Sequence, residues 1–344
     1  MRSFLKPAAG LACLVALACA GCSSGGVGTT DAAPARTPGT GSSASAPGAA
    51  SASSTSYAPY VSATTPGATD AAGSPTTYNL AFVIADGSAC TPKWNGTYAI
   101  GDAAVTSRIA ALKKSGASVR VSFGGASGKE LASTCDSASE LADAYGRALD
   151  QAGSSQADFD VEGTQLTDSA SVALRSEAIA LLQKERGDLK VSFTLPVMPS
   201  GLDDDSLALL ESANDHAVKV STVNIMTMNY GSSYADDMGD YAITSAGAAH
   251  KQLEKVFKLS AASAWQGLAL TSMIGVNDVD NETFSLDDAA QVREFAEKKE
   301  IAWVSMWSTF RDQQCGDGAD SDDAATDCSG VKQGSGAFAK AFAG

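Results

Sequence analysis

Short apolar runs alternate with longer segments of helical periodicity from about residue 78 onward. Such alternation is typical of successive βα units, in which each apolar run forms a buried parallel strand. The stretch from Tyr98 to Lys114 predicts a helix and a degenerate eighth strand. We therefore expect an α/β fold built as a (β/α)8 barrel. The seven clear strand candidates are Tyr78–Ala85, Ser118–Gly124, Ala157–Glu162, Lys190–Leu195, Val220–Tyr230, Leu268–Ile274 and Ile301–Trp307.

Two capping boxes mark helix starts in this alternation. Ser137–Glu140 precedes an apolar stripe that ends before Gly153, and Ser285–Asp288 precedes a second stripe. The second helix fills the connection between the seventh and last strands. We therefore expect no inserted α+β domain there.

The amino-terminal segment has the layout of a processing signal. Arg2 and Lys6 precede an apolar run from Leu11 to Leu17, and small residues follow up to Cys22. This is the pattern of a secretory signal peptide, and its end resembles a bacterial lipobox. We expect residues 1–21 to be removed and Cys22 to be acylated, with ordinary secretory cleavage as the open alternative.

Residues 22–77 consist almost wholly of Ala, Ser, Gly, Thr and Pro. Such a segment offers few large apolar groups to offset the entropy lost on ordering, so it predicts a disordered tether. A single catalytic domain, residues 78–344, would follow it. The expected state is a monomer that is exported, lipid-anchored and held at the bacterial cell envelope or surface.

Charge and histidine content exclude several classes of function. The formal net charge is −15, and loss of Arg2 and Lys6 with the signal peptide makes it −17. This balance disfavours nucleic acid as a partner and is compatible with a neutral substrate. The only two histidines, His216 and His250, lie far apart, so neither a metal site nor a Ser-His-Asp hydrolase is expected. No cofactor is predicted.

Four cysteines follow the predicted tether: Cys90, Cys135, Cys315 and Cys328. An even number in an exported chain predicts disulfide bonds, and four cysteines allow three pairings. We favour Cys315 with Cys328, which closes a short acidic loop. We also favour Cys90 with Cys135, which joins two loops on one rim of a barrel.

The segment Gln156–Glu162 carries the most specific chemical signal. Alternation along a strand sends Asp158, Asp160 and Glu162 to one face and the two intervening apolar residues to the other. Same-face neighbours lie about 6.6 Å apart, so three full charges would repel and at least one proton should be retained near neutral pH. A solvated surface strand or a calcium site is the alternative for this pattern taken alone.

These acids resemble the Asp-x-Asp-x-Glu core of glycoside hydrolase family 18, the chitinases and related endo-N-acetylglucosaminidases. Three further segments resemble family motifs in order and spacing: Ser122–Gly125 (Ser-x-Gly-Gly), Met228–Tyr230 (Met-x-Tyr) and Trp307-Ser308 at the end of the last strand. The sequence departs from the fuller family pattern at Ser155, where that pattern has Asp. The missing inserted domain implies an open, shallow cleft.

The resemblance implies hydrolysis of β-1,4-N-acetylglucosamine linkages in chitin or chitooligosaccharides. Glu162 would be the general acid, and the substrate's own acetamido oxygen would be the nucleophile. Asp160 would orient that acetamide, and Asp158 would share charge and a proton with Asp160. Tyr230 would donate a hydrogen bond to the acetamido oxygen, and Trp307 would form the apolar floor beneath the sugar ring.

Further substrate contacts are expected from Met228, Gly124 and Gly125 in the family motifs. Trp94 is a weaker candidate for a sugar platform, and Asn277 and Asp278 after the seventh strand could contact substrate or simply cap their loop. An endo-acting chitinase is the favoured function. An endo-β-N-acetylglucosaminidase of N-glycans and a non-catalytic chitin-binding lectin stay open, although retention of the acid argues against the lectin.

Overall fold

The structure is a computed structural model, and it describes residues 55–319 and 327–344. The predicted signal peptide, Cys22 and the tether as far as residue 54 lie outside the described residues. Among the helices that are described, none combines the length and apolar character needed to cross a membrane.

Eight parallel strands form a ring at the centre of the described residues. Each strand pairs with the next along the chain, and the two halves of the first strand pair with the last and the second strands. The predicted (β/α)8 barrel is therefore confirmed. Its strands are β1 (Ser56–Tyr57 and Tyr60–Ser62), β2 (Thr77–Asp86), β3 (Ser118–Gly124), β4 (Gln156–Asp160), β5 (Lys190–Pro196), β6 (Val220–Met226), β7 (Leu268–Met273) and β8 (Trp303–Trp307).

The strand that closes the barrel lies inside the segment predicted to be a tether. Tyr57, Tyr60 and Val61 are buried at 4%, 2% and 0% exposure, so β1 has the apolar anchors that its Ala- and Ser-rich surroundings lack. The predicted domain boundary at residue 78 is therefore wrong, because residues 55–77 belong to the folded domain. The eighth strand expected within Tyr98–Lys114 is also wrong for the barrel. That stretch holds a two-residue hairpin strand and a helix.

Helices follow the strands around the outside of the ring. Ser137 caps its helix by accepting from the Glu140 amide, and Gly153 ends that helix in the left-handed conformation. Ser285 and Asp288 form the predicted capping box. The capping box of the helix Ala138–Ala152 is incomplete, because the Glu140 side chain accepts from the Asp136 amide and not from the Ser137 amide. The helices are Ala103–Lys113, Ala138–Ala152, Thr164–Thr167, Ser169–Glu185, Asp204–Asp215, Met238–Val256, Ala261–Gln266, Leu286–Lys299 and Ala337–Ala343, with 3-10 turns at Leu131–Ser133 and Thr309–Arg311.

Short hairpins and disulfides shape the rim at the carboxyl ends of the strands. The connection from β7 to β8 contains the hairpin Gly275–Val276 with Thr283–Phe284 and one helix, so no inserted domain is present there. A second hairpin, Ala89–Trp94 with Tyr98–Ala99, extends from β2. Both predicted disulfides are confirmed, Cys90 with Cys135 and Cys315 with Cys328.

Candidate active site

The predicted alternation along β4 separates its aromatic and acidic side chains. Phe159 faces outward, where its ring centroid lies 5.3 Å from that of Phe123 and 5.8 Å from that of Phe193. Asp158 and Asp160 therefore face the barrel interior. The strand ends at Asp160, and Glu162 follows two residues later. Asp160 and Glu162 line a cleft of about 320 Å³ in the barrel.

Asp158 is 1% exposed and accepts hydrogen bonds from four hydroxyl groups. Tyr60 and Ser122 donate to Oδ2 at 2.9 and 2.7 Å, and Ser192 and Thr194 donate to Oδ1 at 2.7 and 2.9 Å. A carboxylate has only acceptor positions, so four donors suit its ionised form. The strands β1, β3 and β5 thus hold one negative charge directly below Asp160.

Asp160 and Glu162 are hydrogen-bonded to each other and act as one unit. Burial raises the pKa of Asp160 well above its ordinary value, and the charges of Glu162 and Asp158 raise it further. Burial also raises the pKa of Glu162, against the lowering effect of the hydrogen bond with Asp160. Both shifts favour retention of a proton by the pair, which is the direction that the acidic pattern predicts. Asp160 Oδ1 is buried and has no hydrogen-bond partner in the described structure.

An aromatic wall faces this carboxyl pair. Trp307 stacks on Phe82 with ring centroids 5.6 Å apart and meets the edge of Tyr60 at 5.9 Å. All three side chains line the cleft, together with Ile84. Trp307 therefore lies where the sequence places the floor of the site. A partly exposed indole beside carboxyl groups suits the apolar face and polar edge of a sugar ring.

The Gly124-Gly125 pair shapes the cleft through its backbone. A Cβ on Gly124 would lie 2.1 Å from the Asp160 carbonyl oxygen, and one on Gly125 would lie 2.9 Å from the Phe82 ring. The Gly125 amide donates to the Asp160 carbonyl at 3.0 Å. Neither glycine is among the described residues that line the cleft. The two glycines therefore allow β3 to pack closely against β4 and Phe82, and they do not form the surface of the cleft that was predicted to contact substrate.

Tyr230 does not reach the cleft, so its predicted role as acetamide donor is wrong. Its side chain is 4% exposed, with its ring against Tyr234 and Tyr241. Ser245 donates to its hydroxyl at 3.4 Å. The predicted strand ran to Tyr230, but β6 ends at Met226 and alternation does not continue beyond it. Met226 and Met228 line the cleft, as predicted for Met228.

Trp94 and Asn277 are also structural. Trp94 is fully buried in a hairpin strand and donates its indole N–H to the Ile100 carbonyl at 3.3 Å, so it offers no sugar platform. Asn277 is 3% exposed and donates to the carbonyls of Met273 and Gly275, both at 3.0 Å. It caps its loop, which was the alternative left open by the sequence.

The cleft residues that were not assigned to the site from the sequence include Tyr60, Phe82, Thr194 and Asn229. Tyr60 lies in the segment read as a tether. Thr194 lies on β5, where alternation places two hydroxyl residues, Ser192 and Thr194, on the inner face. This pattern could have identified Thr194 as a site residue. Asp278 also lines the cleft, and the Asn229 side chain donates to its Oδ2 at 3.0 Å.

No grouping of three His, Cys, Asp or Glu side chains within the described ranges has the arrangement of a metal site. Among the described residues, three carboxyl groups line the cleft, those of Asp160, Glu162 and Asp278. A (β/α)8 barrel whose cleft holds a pair of carboxyl groups is an arrangement found in glycoside hydrolases.

Comparison with known proteins supports this class. No protein-family model matches the sequence. The chain is 34% identical over 275 residues to the "probable bifunctional chitinase/lysozyme" of Escherichia coli K12, covering 74% of this chain and 31% of that protein. It is 32% identical over 274 residues to "Endochitinase 11" of Metarhizium anisopliae, covering 74% of this chain and 52% of that protein. The chain thus spans about a third of the first relative and about half of the second.

Solved structures agree with the sequence relatives. Active domain 2 of the Pyrococcus furiosus chitinase, solved with chito-oligosaccharides, has a TM-score of 0.73 and 28% identity, covering 83% of this chain and 92% of that one. Structures described as GH18 chitinases share the fold at 14–16% identity. The barrel is similar in sequence and fold to chitinases, including structures described as GH18 chitinases.

Proposed function

We propose that the protein hydrolyses β-1,4-N-acetylglucosamine linkages in chitin or chitooligosaccharides, with endo action and retention of configuration. The main support for this proposal is the hydrogen-bonded pair of Asp160 and Glu162, which lines the cleft above the charge of Asp158. A retained proton at the mouth of the cleft is what a general acid requires near neutral pH.

The proposed reaction has two steps. Glu162 gives its proton to the glycosidic oxygen, the bond between that oxygen and C1 breaks, and the acetamido oxygen of the same sugar bonds to C1. The resulting oxazolinium ion is positive, and the negative charge below it, at Asp158 and Asp160, stabilises it. Water then attacks C1 while Glu162 takes its proton, which restores the acetamide and gives a β-anomer.

The cleft supplies groups for the acetamide as well as for the acid. The Asp160 carboxyl group lines the cleft and can accept from the acetamide N–H. Trp307 supports the ring from the apolar side. The relatives named as chitinases and the chito-oligosaccharide complex of the Pyrococcus furiosus domain support this choice of substrate.

The first test separates the two family activities. We expect the purified protein to shorten chitin oligomers and to leave a high-mannose glycoprotein intact, with products followed by mass spectrometry. Release of whole glycans without oligomer cleavage would instead identify an endo-N-acetylglucosaminidase. Oligomer binding with no cleavage of either substrate would indicate a lectin.

We also propose that the chain is exported and anchored through a lipid on Cys22. The support is the Arg2 to Cys22 pattern, together with two disulfides, which persist in oxidising compartments. We expect wild-type protein made in a bacterial host to partition into detergent and Cys22→Ser to partition into the aqueous phase or to stay unprocessed. A wild-type mature protein that carries no lipid would contradict this proposal.

A further inference from the structure

The loops after β6 and β7 bring a third carboxyl group into the cleft, beside those of Asp160 and Glu162. Asn229 and Asp278 both line it with Glu162. Asp278 is exposed, and Asn229 Nδ2 donates to its Oδ2 at 3.0 Å. Asp280, two residues further along the same loop, is also exposed but is not part of the cleft lining.

A buried carboxyl group ties these two loops together. Glu282 is 1% exposed and accepts the Gly231 amide at 2.7 Å. Asn229 and Gly231 have φ values of +57° and +115°, so this loop has a defined, non-extended path. The Asn277 amide donates to the Glu282 carbonyl at 3.1 Å. Asn229 is therefore held by its own loop where its amide fixes the Asp278 carboxylate.

We propose that Asp278 is a positioning residue for the acid: its fixed negative charge keeps the proton on the Asp160–Glu162 pair until the glycosidic oxygen arrives. The inference rests on the proposed function. Asp278 lies in the loop after β7, outside the acidic motif of β4. The hydrogen bond from Asn229 holds its carboxylate in place.

No positively charged group among the described residues near Glu162 offsets the negative charge of Asp278. The ionisable groups around Glu162 are Asp160 at the end of β4, Asp158 deeper on the same strand, Tyr60 from β1 and Asp278 from the loop after β7. No lysine, arginine or histidine is among the described residues that line the cleft. The Asp278 charge raises the pKa of Glu162, after the larger effect of burial. Its removal should therefore lower that pKa.

Loss of the Asp278 charge should lower activity on the alkaline side of the pH profile. The acid is active while the pair holds its proton, so activity falls as pH rises through the pKa of the pair. In Asp278→Asn, the alkaline limb of the kcat/KM profile should move to lower pH by about half a unit to one unit. At a pH above that limb, activity should be about 3- to 10-fold below wild type, which is that shift expressed as a ratio.

The experiment compares Asp278→Asn, Asp278→Glu and Asp280→Asn with the wild type on one chitin oligomer. We expect the shift in Asp278→Asn, recovery of most of it in Asp278→Glu, and a wild-type profile in Asp280→Asn. A carbon-13 NMR titration of the Glu162 carboxyl group, assigned with Glu162→Gln, should show the same downward shift without requiring turnover.

Coincident alkaline limbs and coincident NMR titrations in Asp278→Asn and wild type would overturn the proposal. A shift of equal size in Asp280→Asn would also overturn it, because general surface charge would then be the cause. If the wild type cleaves no oligomer, the proposed function fails, and the NMR titration alone decides the role of Asp278.

Discussion

Glu162→Gln should lower kcat on chitin oligomers by about 10²- to 10⁴-fold or more, the range for loss of a general acid. Asp160 faces the same cleft but is hydrogen-bonded to Glu162 and lies one strand period deeper, so it cannot protonate the same leaving oxygen. Gln has the shape of Glu and no acidic proton. Oligomer affinity, measured by calorimetry, should therefore change little while turnover falls.

A matched control separates the chemistry from any loss of folding. Glu211 is exposed on the helix Asp204–Asp215, away from the cleft, so Glu211→Gln should keep wild-type turnover. All three proteins should unfold at similar temperatures. Glu162→Gln with turnover within a few-fold of wild type would refute the assignment of Glu162 as the acid.

Fully deacetylated oligomers should resist cleavage at concentrations where acetylated oligomers of equal length are consumed. Asp158 and Asp160 lie on β4 and Glu162 follows two residues after its end, so no member of the trio can attack C1 from the face opposite the acid. The acetamido oxygen can, and its loss removes the nucleophile. Parallel time courses by mass spectrometry provide the measurement. Comparable rates for the two substrates would exclude this mechanism.

The parts of the fold that the sequence predicts are those with a local pattern. β3 and β4 carry apolar or alternating residues over five to seven positions, and the pattern places them within one residue at their starts. The inward orientation of the Asp158 and Asp160 side chains follows from the two-residue alternation of a strand alone. The disulfides follow from cysteine number and from the shared rim of consecutive barrel loops.

The errors share a different cause, because they concern contacts between distant segments. β1 is recognisable only through its pairing with β2 and β8, and its burial of Tyr60 outweighs a composition typical of disorder. Tyr230 was placed by extending a strand past its end. Asn229 takes a left-handed backbone conformation there, so the side-chain alternation that supported the prediction stops.

In the proposed mechanism the substrate's acetamide, held by Asp160, is the nucleophile, and Glu162 protonates the leaving oxygen. Proton NMR during the first minutes of oligomer cleavage, before mutarotation, tests the two displacements at C1 that this mechanism requires, by reporting the anomer of the new reducing end. We expect the β-anomer as the initial product, because two displacements at C1 restore the original configuration. An α-anomer as the initial product would contradict it.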